Sequence, residues 1–285
     1  MKGKVKIAPY CFIAPFFIIF TYFYFVPVFK VIMDSFTDYD MFTKRNFVGL
    51  KNYIDLVKDE TFILSIGNTF FYTACMLFPA LVIGLLLACL IGSSLVKTRY
   101  TRMAIFMPHV FSMVAISMIW LYLYEPNNGV LNQILKTMHL RGSKWLRDPE
   151  IALFCLAVMG IWKSVGYYMV VFLSGLKGIS LQYYEAAKID GAGPVNTFFH
   201  ITLPLLKPTT TFLLITGIIS SFNVFEQVNI MTGGGPLNRT TTMVHQIYTA
   251  GFAEYKLGYA SAMSVILLLI VIGISILNFG LTNKE

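Results

Sequence analysis

Six apolar runs set the limits on what this chain can become. They cover residues 9–33, 67–92, 103–124, 151–175, 205–226 and 258–281, and each is long enough to cross a hydrocarbon core as helix, which takes about 20 residues. Inside lipid the backbone finds no water, so a spanning segment must satisfy its own N–H and C=O groups, and a helix does that within one segment. The fold class that follows is all-α: a polytopic membrane protein with six transmembrane helices in a single domain over residues 1–285. Composition agrees, since 13% of residues are charged against about 25% in an ordinary soluble domain.

The first run follows Lys2, Lys4 and Lys6, as a secretory signal would. Its apolar stretch is longer than a signal core and no small-x-small cleavage pattern follows, so an uncleaved span is predicted. Cys11, Cys75, Cys89 and Cys155 all fall inside apolar runs, which marks them as small buried hydrophobes rather than disulfide partners or zinc ligands. The basic N-terminal tail and the short loop carrying Lys97, Arg99 and Arg102, together with Lys284, place both termini in the cytoplasm by the positive-inside rule.

Between the runs, residues 50–57 read as an amphipathic helix lying on the membrane, with Leu50, Tyr53, Ile54 and Val57 at helical spacing. Gly84, Ala88 and Gly92 form a small-residue row against which another helix can pack closely. Pro126-Asn127-Asn128-Gly129 is a turn, followed by a short helix over 130–139. Lys163 sits in an apolar run, where it faces a bundle interior, a partner or an aqueous cavity, or else snorkels to an interface. Trp162, Tyr167 and Tyr168 beside it fit an interfacial belt or a platform for a sugar ring. The fifth run leaves through Ser220, Ser221, Asn223, Glu226 and Gln227, polar enough to line a solute path, with Gly217 and Ser221 on one face. Thr232-Gly233-Gly234-Gly235-Pro236 is a turn and not a nucleotide loop, because no Lys-Ser/Thr closes it and no strand precedes it.

The longest patterned polar stretch lies between runs four and five. Ser180 can cap a helix starting at Leu181, Gly191 with Gly193 can end it, Pro194 can open a second short helix and Pro204 can stop that one. No Walker loop, metal-ligand cluster or Ser-His-Asp set can be assembled elsewhere, and His109, His139, His200 and His245 are scattered. Energy for uphill movement of a solute must therefore come from an ion gradient or a partner.

Glu185-Ala186-Ala187-Lys188-Ile189-Asp190-Gly191-Ala192, with Phe198, Ile201, Leu203-Pro204 and Pro208 behind it, resembles the EAA motif of binding-protein-dependent ABC importer permeases. Thr232 to Pro236 is similar to a segment of the carbohydrate-uptake branch, in the first permease subunit of the maltose and glycerol-phosphate type. The chain departs from the maltose type in lacking a large insertion in its second outside loop. The resemblance implies a cytoplasmic coupling loop over 176–204 whose first helix docks in an ATPase cleft through Glu185, Ala186, Ala187, Asp190 and Gly191; the structural alternative is a solvated helix with Glu185 paired to Lys188. It also implies that Lys163, Ser164, Tyr167, Ser220, Ser221 and Asn223 line the solute path. This chain would hold no catalytic residue, metal or cofactor, and ATP and Mg would bind a partner ATPase. The implied partners are a second homologous permease, two ATP-binding cassette subunits, an extracellular solute-binding protein, a sugar or oligosaccharide and the lipid bilayer of a bacterial or archaeal cell membrane, with no nucleic acid. The alternatives are a phosphorylated polyol as solute or, in another class, an ion-coupled secondary transporter using Lys163 and Glu226 as a charge pair.

Overall fold

The computed structural model describes residues 8–42, 45–92 and 98–282. Lys2, Lys4, Lys6, Lys97 and Lys284, and the side chain of Cys11, lie outside the described residues. Among those described, regular structure is helical apart from one antiparallel bridge, Thr37 to Phe47. Among the described residues five helices are long and apolar enough to cross a membrane: Phe12–Asp34, Glu60–Gly92, Ala152–Gly178, Lys207–Met231 and Leu257–Asn278. The sixth expected span, residues 103–124, is broken. It consists of α5 (Thr98–Val110) and α6 (Met113–Leu123), bent by 96° at Phe111-Ser112.

The first span is continuous through α1 (Ala8–Phe20), a π-helical turn (Thr21–Phe25) and α2 (Val26–Asp34). In the π turn the Val26 N–H reaches back to Thr21 O, one residue before Pro27. A proline ring clashes with the carbonyl four residues earlier and brings no N–H, and a wide turn placed there absorbs the mismatch without ending the helix. The same device recurs at Pro204. There α10 (Pro194–Thr197) runs into a π turn (Phe198–Thr202) and then α11 (Leu203–Leu205), with the Leu203 N–H donating to Phe198 O. Pro204 therefore does not stop the helix, as its identity alone predicts; the path continues to Leu205.

The chain divides into two compact units. In one, formed by the residues up to 60 with 246–269, α3 (Lys51–Lys58) is held by Asn52, which donates to Ser35 O and Thr37 O at 2.9 and 2.8 Å. Leu50, Ile54 and Val57 of its predicted apolar stripe are exposed, while Tyr53 turns inward and donates to Ser35 Oγ at 2.7 Å.

The other unit, 61–245 with 270–285, contains the main apolar core. Here α4 (Glu60–Gly92) and α8 (Ala152–Gly178) approach closely through the expected small residues. A Cβ on Gly84 would stand 2.6 Å from Tyr168 Cβ and 3.1 Å from Met169 N, and Ala88 is fully buried. Cys155 is buried and Cys75 and Cys89 are half-buried thiols, as small hydrophobes in such a core should be. The connection between α6 and α8 holds α7 (Val130–Thr137). Asn132 on it donates to Pro126 O and Ser143 O and accepts from Ser143 N and Trp145 Nε1, all within 2.9 Å. Glu125 closes the preceding turn by accepting from Asn128 N and Asn127 N at 2.6 and 2.7 Å. Those bonds hold its carboxyl below the ordinary range, so the turn keeps them at neutral pH and gives them up as pH falls through the lowered value.

Gly84→Ala forces α4 and α8 apart and is expected to destabilise the protein by about 1–3 kcal/mol. Gly67→Ala on the same helix, where an added Cβ meets nothing within 4 Å, should be neutral or slightly favourable. Unfolding midpoints in detergent check this; equal shifts in both variants would remove close helix approach as the cause.

Candidate coupling segment and solute path

The segment joining α8 to the next span begins with α9 (Leu181–Ile189). Ser180, in extended conformation, caps it by accepting from Gln182 N at 3.4 Å. At the other end Ala192 N donates to Ala187 O and Gly191 N to Lys188 O, at 2.9 and 3.1 Å. Those two bonds, crossing over a residue at φ +73°, make a Schellman closure, and the left-handed residue at its centre is best served by glycine. No atom would touch a Cβ at Gly191, so its requirement is backbone conformation and not space.

The two faces of α9 differ. Ala187 is buried, and half-buried Tyr184 brings its hydroxyl within 3.3 Å of Thr202 Oγ1. Glu185, Ala186 and Asp190 are exposed, and so are three large apolar side chains, Leu181 (74%), Tyr183 (54%) and Ile189 (85%). The Glu185–Lys188 pair is not among the ion pairs of the described residues. A cleft of about 530 Å³ lies behind the helix, lined by Cys89, Tyr184, Lys188, Thr197, Phe198 and Thr202 among others. The motif thus splits, with Ala187 packed inward and Glu185, Ala186 and Asp190 presented outward. Sequence reasoning missed the anchors Tyr184, Thr202 and Leu206, the last buried between the helices it joins.

Of the predicted path residues, Lys163, Ser164 and Tyr167 are half-buried on α8. The Lys163 ammonium donates to Phe111 O at 2.7 Å, His109 O at 3.1 Å and Pro108 O at 3.4 Å, and Tyr167 stacks on His109 with ring centres 5.1 Å apart. At the far end of α12 (Lys207–Phe222) Ser220 is exposed, and exposed Asn223 donates to Ile219 O at 2.8 Å. Ser221 is 1% exposed and its hydroxyl donates to Ile218 O; Gly217 on the same face packs against Leu77 and the Tyr168 hydroxyl. No hydrogen bond joins the two sets among the described residues; the approach of the Tyr168 hydroxyl to Gly217 is their link. Lys163 and Glu226 form no ion pair among the described residues; the ammonium's short contacts go to carbonyls.

The Gly-rich turn is latched to α4. After α13 (Glu226–Met231), Thr240 Oγ1 lies 2.7 Å from both Thr232 Oγ1 and Gly235 O. Asn68 on α4 donates to Thr241 O and Asn238 O at 2.9 and 3.2 Å, and Thr69 Oγ1 accepts from Met243 N at 3.0 Å. Sequence reasoning missed Asn68 and Thr69, whose one signal is two polar residues side by side inside an apolar run.

These features define a polytopic helical permease whose one helix-turn-helix between spans stands out from an otherwise apolar core. The chain belongs to the family described as the inner membrane component of binding-protein-dependent transport systems, matched over residues 64–283. It is 32% identical to the probable ABC transporter permease protein YurN of Bacillus subtilis over the full length of both chains. It is 32% identical to the sn-glycerol-3-phosphate transport system permease protein UgpA of Yersinia pestis, covering 97% of this chain and 94% of that one. With the arabinooligosaccharides transport system permease protein AraP of Bacillus subtilis it shares 33% identity over 98% of this chain and 90% of the other. Its fold matches a chain in the crystal structure of a bacterial alginate ABC transporter in complex with an alginate pentasaccharide-bound periplasmic protein, with TM-score 0.86 at 23% identity over 97% and 94% of the two chains.

Gly191→Ala places an L-residue in the left-handed region at about 1 kcal/mol. Exchange of the Ala192 amide should quicken about fivefold while Gly178→Ala, free of any contact within 4 Å, leaves it unchanged. An unaltered Ala192 rate in Gly191→Ala would mean that the closure does not hold the helix end.

Proposed function

We propose that this chain is one of two membrane subunits of an ATP-driven importer, and that α9 is its coupling helix on the cytoplasmic side. The observation that carries the reading is the outward face of α9: three exposed apolar side chains around Glu185 and Ala186 on a helix capped at both ends. A face of that kind is costly to leave in water and suits a groove in another protein. Glu185 and Asp190 offer carboxylates to basic or N–H groups of that groove. The partner is a cytoplasmic ATP-binding cassette subunit, one for each permease, and ATP and Mg belong to it. With α9 inside the cell, both termini are inside as well.

In this reading ATP binding draws two ATPase subunits together, the coupling helices move with them, and the path opens toward an extracellular solute-binding protein. The solute class is a sugar or oligosaccharide, as the name of the arabinooligosaccharide relative supports. A phosphorylated polyol is the second reading, favoured by the glycerol-phosphate relatives at the same identity. Ser164, Tyr167, Ser220 and Asn223 offer hydroxyl, amide and aromatic surfaces suited to either.

Glu185→Lys in the assembled transporter should lower solute uptake at least tenfold, the loss of about 1.4 kcal/mol or more of coupling, without changing the unfolding midpoint of the membrane core. Residual ATPase activity should stop responding to solute-loaded binding protein. Normal uptake with normally stimulated ATPase would sink the coupling-helix reading, and a calorimetric titration of the stimulating binding protein with neutral sugars and with glycerol phosphate decides between the two solutes.

A further inference from the structure

The third span is interrupted where α5 ends, and the last carbonyls of a helix have no partner within it. Near the middle of a membrane such groups need a donor. Here one side chain supplies it. Lys163, on the neighbouring helix α8, reaches Phe111 O, His109 O and Pro108 O. An ammonium has three donors, and these three acceptors occupy them. Its charge also sits at the negative end of the α5 dipole, where a cation is stabilised.

The contact is built around more than one residue. Lys163, Gly166 and Tyr167 fall at spacings of three and four on one face of α8. A side chain at Gly166 would run into Ile105 O and Phe106 Cα, so glycine lets α8 lie directly on the backbone of α5. Tyr167 stacks on the His109 ring, and Trp162 meets Trp120 of α6 with ring centres 5.7 Å apart. The face of α8 around Lys163 therefore grips both halves of the broken span.

We propose that Lys163 is a positioning residue that fixes the break in the third span, a tethered cation on carbonyls that ion-coupled carriers would present to sodium or a proton. With its donors spent on backbone, it shapes the wall of the path rather than binding solute. The structural part stands independently of the importer reading, and only its consequence for turnover rests on that reading.

The test uses the complete transporter in lipid, with spin labels at exposed Tyr100 on α5 and Met118 on α6 in a cysteine-to-alanine background that retains transport. The interlabel distance reads the bend without requiring transport, so its failure is distinguishable from failure of the importer reading. Lys163→Met should shift or broaden that distance and lower turnover at least about tenfold, with KM for solute-loaded binding protein within about twofold. Lys163→Arg, which keeps charge and donors, should restore both distance and turnover. If Lys163→Met does not assemble, Lys163→Gln, with two donors and no charge, carries the same comparison. An unchanged distance in the variant lacking the ammonium overturns the proposal, and a raised KM with that unchanged distance assigns Lys163 to the solute instead.

Discussion

A backbone carbonyl in hydrocarbon must be answered by a donor from the protein, because no water is there to answer it. Long runs of uninterrupted helix meet that demand by themselves, which is why α4 can extend over 33 residues. The irregular places are where side chains enter. At the bend of the third span the donor is Lys163; at the end of α12 it is Asn223, which donates to Ile219 O, and Thr242, which donates to Val224 O. The Gly-rich turn beyond is held by Asn68 from α4. Polar residues that stand out from the apolar background are, at these points, the partners of backbone that has left the helix.

This constraint explains what could and could not be read from the chain. The spans were legible because a helix must be apolar along its whole crossing, and the ends of α9 were legible because Ser180, Gly191 and Pro194 act on backbone within a few residues of themselves. The break at Phe111-Ser112 was not. Pro108 stands three residues ahead of it, a local sign of a disturbed helix, but the donor that answers the freed carbonyls lies some fifty residues away on α8, so no local pattern records where or how sharply the chain turns. Pro204 misled for a related reason: a π turn that begins six residues earlier changes what a proline does. Ser221 looked like a path residue because it is polar, yet its hydroxyl is satisfied by Ile218 O within its own helix, an option that composition cannot distinguish from exposure.

A helix as short as α9 is marginal alone, since isolated helices need about 12–15 residues to persist. Its persistence here depends on both end closures and on Tyr184 meeting Thr202, while only Ala187 is buried beneath it. That distribution leaves most of its surface exposed without loosening its shape.

The rigidity matters because of where the segment is rooted. Below α9, the C-terminal part of α8 and the start of α12 touch: a Cβ on Gly175 would stand 2.6 Å from Thr209 Oγ1 and 2.9 Å from Leu206 Cδ2. Leu206 is buried at the joint, so the two ends of the connecting segment are clamped to each other rather than spread apart. Close-packed interiors transmit displacement because they have little free volume to absorb it. With a cleft of about 530 Å³ behind α9, a force on its outer face reaches that clamp through the chain at its two ends and through the Tyr184–Thr202 contact. On α8 it arrives at the helix whose Lys163, Gly166 and Tyr167 grip the broken span, and on α12 at the helix that ends in Ser220 and Asn223. One short helix is thereby tied to both of the helices that carry the proposed path residues.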